Sequence, residues 1–434
     1  MNSSQLNIAV VGAGAAGITA AYILSRKHKV TLFDSNTYVG GHTNTIVIPH
    51  GPDSGTPVDT GFIVFNDRTY PLLNELFRQL NVPIRKSDMS FSYFDEKTGF
   101  QYSSNVPDGL LAQRSNLFRP KFWKFLGDIL KFNERSVRDL RSGMLGRVTM
   151  GEYLKAGGYS DLFVQSYILA MGAAIWSTPR GKMLEFPAET FVRFFENHGL
   201  LTLKDRPQWY TVTGGSHSYV KAFLKQFHGG VHTHSPVQSI RREPDGVHVH
   251  LANHGKYHFD KVVIAAHADE ALKMLDDPSK DEKRLLGVWQ YSQNDTVLHT
   301  DVSVMPPNAR AWASWNYVEE KEKGVRPLLE QKGSDPFFPV SVSYDMNRLQ
   351  GLKTHDRYFV TLNRLTSIPE DKIICKILYT HPTYTFESLA SQKELPSLNG
   401  VRNTYFCGSY FGYGFHEDAV RSSVNVAKMF GMEL

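Results

Sequence analysis

Apolar and polar positions fall into blocks along the first 34 residues, and each block predicts one element of structure. Ile8 to Val11 is a short apolar run typical of a buried strand, and a glycine-rich stretch follows it. An alanine-rich helical stretch comes next, and a second apolar run, Val30 to Phe33, ends on Asp34. The blocks therefore predict a strand, a tight turn, a helix and a second strand, as in a parallel βαβ unit.

The turn between the first strand and the helix has the glycine spacing of a dinucleotide-binding site. Gly12 permits the tight turn, Gly14 lets the backbone approach a pyrophosphate, and Gly17 lets helix and strand pack closely. Ala15 and Ala16 open the helix, whose unpaired N–H groups attract phosphate. Small residues also occur at tight helix crossings, but the strand, helix and acid in register favour the dinucleotide interpretation.

Asp34 ends the second strand, where a carboxylate accepts hydrogen bonds from an adenosine ribose. A 2′-phosphate would meet this carboxylate at contact distance, so FAD or NAD is predicted rather than NADP. We assign Ser35, the next residue, to the same site. No second GxGxxG follows for NADPH, so oxygen or a quinone is the expected electron acceptor.

A second glycine pair, Gly40 and Gly41, follows the acid and resembles the amine oxidase superfamily of flavoproteins, which includes phytoene desaturases and protoporphyrinogen oxidases. The resemblance implies FAD. That family usually has arginine after the pair, whereas this chain has His42, which keeps a donor without a fixed charge. The apolar stretch 58–66, with Gly61 and Phe62, corresponds to a segment beside the flavin ring; a plain buried strand is the alternative.

Near the C-terminus, a strand ending in Gly408 leads through a glycine-rich turn into a helix. In the resembled superfamily this region holds the ribityl chain and the pyrimidine edge of the flavin, and Ser409 replaces the usual acid. Phe415 matches an aromatic residue beside the flavin, and nothing matches the cysteine linkage to the ring, so noncovalent FAD is expected. The candidate catalytic residues are Tyr413, His416 and Glu417, and His416 is also assigned to the cofactor site. Helix capping is the alternative for His416 and Glu417.

The order of elements predicts an α/β protein with a discontinuous Rossmann-like FAD-binding domain and an α+β substrate domain of the amine oxidase type. We predict the FAD-binding domain in residues 1–85, 206–285 and 395–434, and the substrate domain in 86–205 and 286–394. In the resembled family, the return of the first domain brings the backbone of Val237 to the adenine. Further predicted elements are a helix over 67–80, a hairpin over 86–103, a helix over 214–227, and strands at 311–317, 340–344 and 358–362.

Residues 105–205 form a helical, basic and aromatic insert in the substrate domain. Between Arg114 and Arg141 the chain carries eight basic and three acidic residues, interleaved with aromatic ones. This excess equals the formal net charge of +5 of the whole chain. A helix pair on anionic lipid headgroups would have this composition, and so would a core-facing helix with a solvated basic face. No nucleic-acid module accompanies the charge, so nucleic acid is not an expected partner.

With 434 residues, 41% hydrophobic and 21% charged, the chain has the composition of an ordinary globular protein. Its two cysteines, Cys375 and Cys407, provide no disulfide framework, and no signal peptide or membrane-spanning stretch is evident. We expect a cytoplasmic protein, with contact to a membrane surface as the open question. Pairs of histidines at 232 and 234, and at 248 and 250, lack further ligands, so no metal is predicted.

The combination of GGHTNT, DTGF, SWNY and GFHEDA is similar to a bacterial subgroup of FAD oxidoreductases associated with lipid methyltransferases of the cyclopropane synthase type. That similarity implies an acyl substrate, desaturated or isomerised by hydride transfer from carbon to flavin N5. Amine oxidation is the alternative, but no lysine lies between Lys283 and Lys321, where amine oxidases carry one that holds a water near the flavin. A flavoprotein that binds FAD and lipid without turnover is the third interpretation.

Overall fold

A computed structural model of the chain describes residues 5–202, 204–252, 255–321, 341–364 and 366–434. The strands of these ranges are β1 (Asn7–Val11), β2 (Lys29–Phe33), β3 (Thr45–Val47), β4 (Pro57–Asp59), β5 (Phe65–Asn66), β6 (Ile84–Lys86), β7 (Phe91–Asp95), β8 (Gln101–Ser103), β9 (Trp209–Val212), β10 (Gly230–His232), β11 (Val237–Glu243), β12 (Gly246–Leu251), β13 (Lys256–Phe259), β14 (Lys261–Ile264), β15 (Gln290–His299), β16 (Trp315–Glu319), β17 (Val342–Asp345), β18 (Phe359–Leu362), β19 (Ile373–Thr383) and β20 (Thr404–Phe406). The helices are α1 (Ala15–Leu24), α2 (Pro71–Gln79), α3 (Pro120–Arg141), α4 (Met150–Gly157), α5 (Asp161–Phe163), α6 (Ala170–Trp176), α7 (Arg180–Glu185), α8 (Ala188–Asn197), α9 (His217–Gln226), α10 (Ala268–Met274), α11 (Lys280–Leu286), α12 (Met346–Leu349), α13 (Phe386–Glu394) and α14 (His416–Met429).

A parallel sheet in the order β10-β2-β1-β14-β20 forms the first layer. Its central strands are apolar because both faces are covered. Helix α1 packs on one face and buries eight of its ten residues. It is also held by α14, where the Ser423 hydroxyl donates to the Ala16 carbonyl at 2.8 Å. The antiparallel sheet β11-β12-β13 packs its apolar residues against the other face.

A seven-stranded sheet in the order β19-β15-β18-β17-β16-β7-β8 forms the second body of structure. Its pairs are antiparallel except for β16 with β7, which come from distant parts of the chain. Helices α3 to α8 pack aromatic and other apolar residues into the same hydrophobic core as this sheet. The protein is therefore α/β, with a Rossmann-like unit beside a mixed sheet covered by helices.

Two predicted elements near the first domain have different bounds. The predicted strand over 58–66 is broken into β4 and β5, because Thr60 and Phe62 donate their N–H groups to the carbonyls of Asn44 and His42 outside a regular ladder. The predicted helix over 67–80 begins only at Pro71, since proline is favoured at the first helical position and the preceding residue avoids helical geometry.

The basic and aromatic insert contains one long helix where a helix pair was one expectation. A 3₁₀ turn, Arg114–Phe118, leads into α3, which buries Phe122, Phe125 and Phe132. The strand expected at 311–317 starts only at Trp315, after a 3₁₀ turn. The predicted hairpin over 86–103 is confirmed by the antiparallel pair β7 and β8. The strand expected at 340–344 is β17, and residue 340 lies outside the described residues.

Candidate active site

A large cavity of about 1970 Å³ runs between the parallel sheet and the seven-stranded sheet. It exceeds the ~1,000 Å³ upper end of the usual range for one small-ligand pocket, so it has room for a dinucleotide and a second ligand. Exposed lining residues mark two openings. One lies beside Asn36 and Lys273, and the other lies beside Val106 and Arg206.

The cofactor half of the cavity is shaped by backbone. Gly12 has φ +98°, and a Cβ there would lie 2.7 Å from the Ala265 carbonyl oxygen. A Cβ on Gly17 would lie 1.7 Å from the Gly12 carbonyl oxygen. Gly14 differs, because a Cβ there would meet no atom within 4 Å and would enter the open cavity. This free space, at the N-terminus of α1, is a cradle for a pyrophosphate.

Asp34 is buried at the end of β2 and lines the cavity. Its two oxygens accept the N–H groups of Ala13 at 2.6 Å and Asn36 at 2.7 Å. Each carboxylate oxygen has a second lone pair, so acceptor capacity remains for a ribose hydroxyl. The carboxylate therefore fixes the glycine turn as well as offering the predicted ribose contact.

Most of the predicted cofactor residues meet on this one cavity. The predicted residues that line it are Gly12, Gly14, Ala15, Ala16, Asp34, Ser35, Gly41, His42, Gly61, Phe62, Val237, Gly408, Ser409, Phe415 and His416. Gly17 and Gly40 stand behind its wall, and a Cβ on Gly40 would lie 2.5 Å from the Thr43 carbonyl oxygen. Their part in the site is to let the backbone of the wall pack closely.

The candidate catalytic residues separate into two groups. His416 and Tyr413 line the cavity, and the His416 ring stacks on Phe62 with centroids 3.8 Å apart. Glu417 does not line it, because its carboxylate accepts the N–H groups of Leu72 at 3.2 Å and Leu73 at 2.9 Å. Glu417 thus caps the N-terminus of α2, and the structure gives it no access to a substrate.

Sequence reasoning missed two further histidines that gather around His42. The His42 ring lies 4.9 Å from Tyr379, 5.3 Å from His381 and 6.2 Å from His267, measured between centroids. His267 follows β14 at the carboxyl edge of the parallel sheet, where α/β proteins bind ligands, so its position was a usable signal. His381 lies in β19, on the other sheet, and no local pattern in the sequence points to it.

Burial keeps these imidazoles neutral. Desolvation lowers the pKa of His42 to about 4, and those of His381 and His416 to about 3. The pKa of His267 is lowered for the same reason. The Nε2 atom of His42 is buried and has no hydrogen-bond partner among the described residues. It is therefore available to a polar group of the cofactor.

A buried carboxylate holds together the loop that carries His42 and Phe62. Asp59 accepts hydrogen bonds from Thr45 at 2.5 Å, from the Ser216 N–H at 2.8 Å and from Gln350 at 3.1 Å. Desolvation outweighs these bonds and raises the pKa of Asp59 to about 7. The aspartate of the DTGF segment thus bonds to three distant parts of the chain, at Thr45, Ser216 and Gln350. These bonds explain an aspartate at this point in the sequence.

The described structure places the C-terminal turn as the sequence predicts. Gly408 donates its N–H to the Ser422 hydroxyl at 2.9 Å, and Ser409, the next residue, lines the cavity. Phe415 stacks on Phe194 of the helical insert, with centroids 5.0 Å apart. A neutral hydroxyl donor therefore faces the cavity where the resembled family has an acid.

Residues 15–292 match the family model described as flavin containing amine oxidoreductase. This match covers more than half of the chain. The chain belongs to that family. FAD is accordingly its cofactor, and the glycine cradle at Gly14, the free Nε2 atom of His42 and the volume of the cavity fit it. The family is one of FAD-dependent oxidoreductases, which confirms the predicted class.

Individual relatives differ in what they act on. An L-amino-acid oxidase of Siganus canaliculatus is 24% identical over 330 residues, which cover 69% of this chain and 57% of that protein. The chain thus spans little more than half of this relative's length. A fatty acid isomerase of P. acnes that produces CLA has a TM-score of 0.68 at 14% identity, over 99% of this chain and all of the other. A cyclohexylamine oxidase of Brevibacterium oxydans has a TM-score of 0.66 at 14% identity, with the same coverage. The two structures share the fold.

Two kinds of feature are absent from the described residues. No helix in them is both long and apolar enough to cross a membrane. No group of three or more histidine, cysteine, aspartate or glutamate side chains in those ranges is arranged to hold a metal ion.

Proposed function

We propose that this protein oxidises an apolar substrate with FAD, and that the substrate is a fatty acyl chain which it desaturates or isomerises. The observation that carries the proposal is the lining of the substrate half. Among the described lining residues from 86–205 and 286–394, Asp88 alone has an ionisable carboxyl or basic group other than imidazole. Asp88 is exposed and lies 3.6 Å from Arg348. The guanidinium of Arg206, beside the opening at Val106, is exposed as well.

The interior of this half therefore suits hydrocarbon better than charge. Its described walls include Leu126, Ile129, Met171, Trp315 and Tyr344. A methylene group gains about 0.8 kcal/mol on burial in such surroundings. An ammonium group would lose its hydration and find no carboxylate inside, which is costly. An acyl chain is the substrate class that these walls favour.

Bound FAD would supply a two-electron acceptor that takes a hydride from a substrate carbon at N5. For a desaturation, a neighbouring proton must also leave. His416 lines the cavity and is the candidate acceptor, although burial lowers its pKa to about 3 and makes its imidazole a weak base. For an isomerisation, the hydride returns to another carbon of the chain and no electron acceptor is consumed. Burial raises the pKa of Tyr413, so its phenol stays protonated and can donate a hydrogen bond.

The resemblance of GGHTNT, DTGF, SWNY and GFHEDA to the subgroup associated with lipid methyltransferases supports an acyl substrate. The fatty acid isomerase of the same fold is consistent with it. An allylic or branched position on the chain would activate the attacked methylene, because a flavin is a modest oxidant.

Amine oxidation is the second candidate, and the family name and the amino-acid oxidase favour it. Within the described part of the cavity wall, Lys273 is the one lysine. Its Nζ pairs with Asp269 at 2.7 Å, beside the opening at Asn36. A lysine that could hold a water near the flavin ring is thus missing from the described wall. This observation favours the acyl chain over the amine.

The test is anaerobic reduction of the purified, FAD-loaded protein, followed by absorption. We expect the oxidised flavin band to bleach with unsaturated or methyl-branched fatty acyl lipids, and the product to be identified by mass spectrometry. An isomerisation would instead change the lipid without net bleaching. If cyclohexylamine or an L-amino acid bleaches the flavin and no lipid does, the substrate is an amine and the acyl proposal is wrong. A flavin that neither photoreduces nor reacts would indicate a binding protein.

A further inference from the structure

The substrate opening of the cavity lies beside the long helix α3. Val106 and Leu130 both line the cavity, yet they are 73% and 58% exposed. A residue that lines a cavity and also faces solvent lies at its mouth. The mouth is therefore formed by the loop after β8 on one side and by α3 on the other.

Large apolar side chains continue outwards from this mouth. Phe118 is 87% exposed and Trp123 is 55% exposed, and the exposed Leu117 directly precedes Phe118 in the 3₁₀ turn. The Trp123 indole donates to the Leu117 carbonyl at 2.9 Å, which ties the turn to the helix. Trp123 and Leu130 are seven residues apart and so share one side of α3. We call Val106, Leu117, Phe118, Trp123 and Leu130 the apolar rim.

Four basic residues alternate in the sequence with the rim residues from Leu117 to Trp123 or flank them, without an intervening acid. These residues, which we call the basic group, are Arg114, Arg119, Lys121 and Lys124. All four are exposed, and Lys124 has a distant partner in Asp128 at 3.7 Å. The basic residues farther along α3 are engaged within the protein: Lys131 donates to the Gly157 carbonyl at 2.7 Å, and Arg135 bonds to Asp139 at 3.1 Å. Between Arg114 and Arg141, the positive charge available to a partner is thus concentrated beside the rim.

We propose that the apolar rim and the basic group dock the protein on an anionic lipid bilayer, with the mouth of the cavity against the lipid. Exposed aromatic and aliphatic tips beside lysine and arginine are the combination that binds the interface of anionic membranes. The apolar tips enter the acyl boundary while the basic side chains extend to headgroups. An acyl chain then passes from the bilayer into the cavity without crossing water. This last step rests on the proposed function, whereas the docking does not.

A bilayer fits the patch better than a nucleic acid or a protein partner. Aromatic side chains also stack on bases, but a stacking platform does not need an opening into an apolar cavity. A protein partner seated on the rim would close the substrate opening. Anionic lipid is the partner that matches the charge, the apolar tips and the opening together.

The docking test is flotation of the FAD-loaded protein with phosphatidylcholine vesicles, with and without phosphatidylglycerol. We expect binding to the anionic vesicles alone, weakening as salt rises because the basic group is exposed. Phe118→Ser with Trp123→Ser, and separately Arg119→Glu with Lys121→Glu, should each weaken binding more than tenfold. Matched controls away from the rim are Val401→Ser with Met429→Ser, and Lys221→Glu with Lys225→Glu, which should bind like the original protein.

Retention of flavin absorbance and of the melting temperature shows that each variant is folded. Absence of vesicle binding at low salt, or equal losses in the rim and control variants, would overturn the docking. Dimerisation that the Phe118→Ser and Trp123→Ser changes abolish, without vesicle binding, would assign the rim to a second copy. Reduction by acyl substrates in detergent micelles tests the proposed function separately, and rim variants should keep it.

Discussion

The two halves of the cavity are built in different ways. The cofactor half depends on the backbone at Gly12, Gly14 and Gly17, where added Cβ atoms would clash or fill the cradle. The substrate half depends on side chains from distant segments, such as Leu126 in α3 and Tyr344 in β17. A backbone cradle tolerates few changes, whereas side-chain walls vary without loss of the fold. The architecture therefore specifies the cofactor more strictly than the substrate.

The largest expected effect comes from Gly17→Ala, which tests whether the cradle depends on close packing. A Cβ there would lie 1.7 Å from the Gly12 carbonyl oxygen, so the turn or α1 must move. We expect the free energy of unfolding of the apoprotein to fall by at least about 3 kcal/mol. Urea denaturation measures it. Unchanged stability with normal FAD content would contradict the close packing of helix and turn.

Gly14→Ala is the sharper test, because it adds the same methyl group at a position in the same turn where it meets no neighbour. Its Cβ would meet no atom within 4 Å, so the apoprotein should keep its stability to within about 0.5 kcal/mol. The methyl group would occupy the space for the pyrophosphate. We expect the Kd for FAD to rise at least about tenfold, which is ~1.4 kcal/mol. Titration of the apoprotein with FAD, followed by flavin fluorescence, measures it.

The sequence allowed prediction of the cofactor half because its signals are local. Gly12, Gly14 and Asp34 lie within one βαβ unit, so spacing alone identifies their roles. The break in the strand over 58–66 could not be predicted, since it depends on hydrogen bonds from Thr60 and Phe62 to a loop about 18 residues earlier in the chain. Local patterns contain no information on such pairings.

The substrate half shows the same limit more strongly. Its strand β16 pairs in parallel with β7, more than 200 residues earlier, and no turn signal connects them. Glu417 illustrates the consequence for a candidate site. Its place beside a glycine-rich turn was compatible with catalysis or with helix capping. In the structure its carboxylate accepts the N–H groups of Leu72 and Leu73 and so caps α2. Contacts between distant elements, which spacing cannot reveal, determine which candidates face the substrate.

The histidines lie where the two halves meet, and they make stability depend on pH. The pKa of His381 is lowered from 6.5 to about 3 by burial, so between these values the unfolded chain binds more protons than the folded one. The free energy of unfolding should therefore fall as the pH falls from 6.5, by about 1 kcal/mol per pH unit for each such histidine. Asp59 and Asp418, with pKa values raised to about 7 and 6, act in the opposite direction.

A comparison of variants isolates the histidine contribution. His381→Asn should flatten the slope of apoprotein stability against pH by about 1 kcal/mol per pH unit below 6.5, because asparagine does not titrate there. His50→Asn, at an exposed histidine, serves as the matched control and should leave the slope unchanged. Urea denaturation at a series of pH values from about 7 to about 4 gives the slope for each protein. This range includes the ordinary histidine pKa of ~6.5. Equal slopes in all three proteins would exclude a buried neutral His381.

The smallest expected effect on the fold, and the most specific effect on function, comes from Ile129→Trp. Ile129 is half-buried on the side of α3 that lines the cavity, so a larger side chain can enter the substrate half without displacing a buried core residue. FAD affinity should be unchanged, because no part of the glycine cradle moves. The variant should accept only shorter acyl chains, whether they reduce the flavin or are isomerised. The reason is that the indole occupies volume that methylene groups otherwise fill. Leu224→Trp, at an exposed position on α9, controls for the added aromatic surface.

A loss of FAD binding in Ile129→Trp would show that the two halves of the cavity are coupled. An unchanged dependence on acyl-chain length would place the acyl chain elsewhere in the cavity.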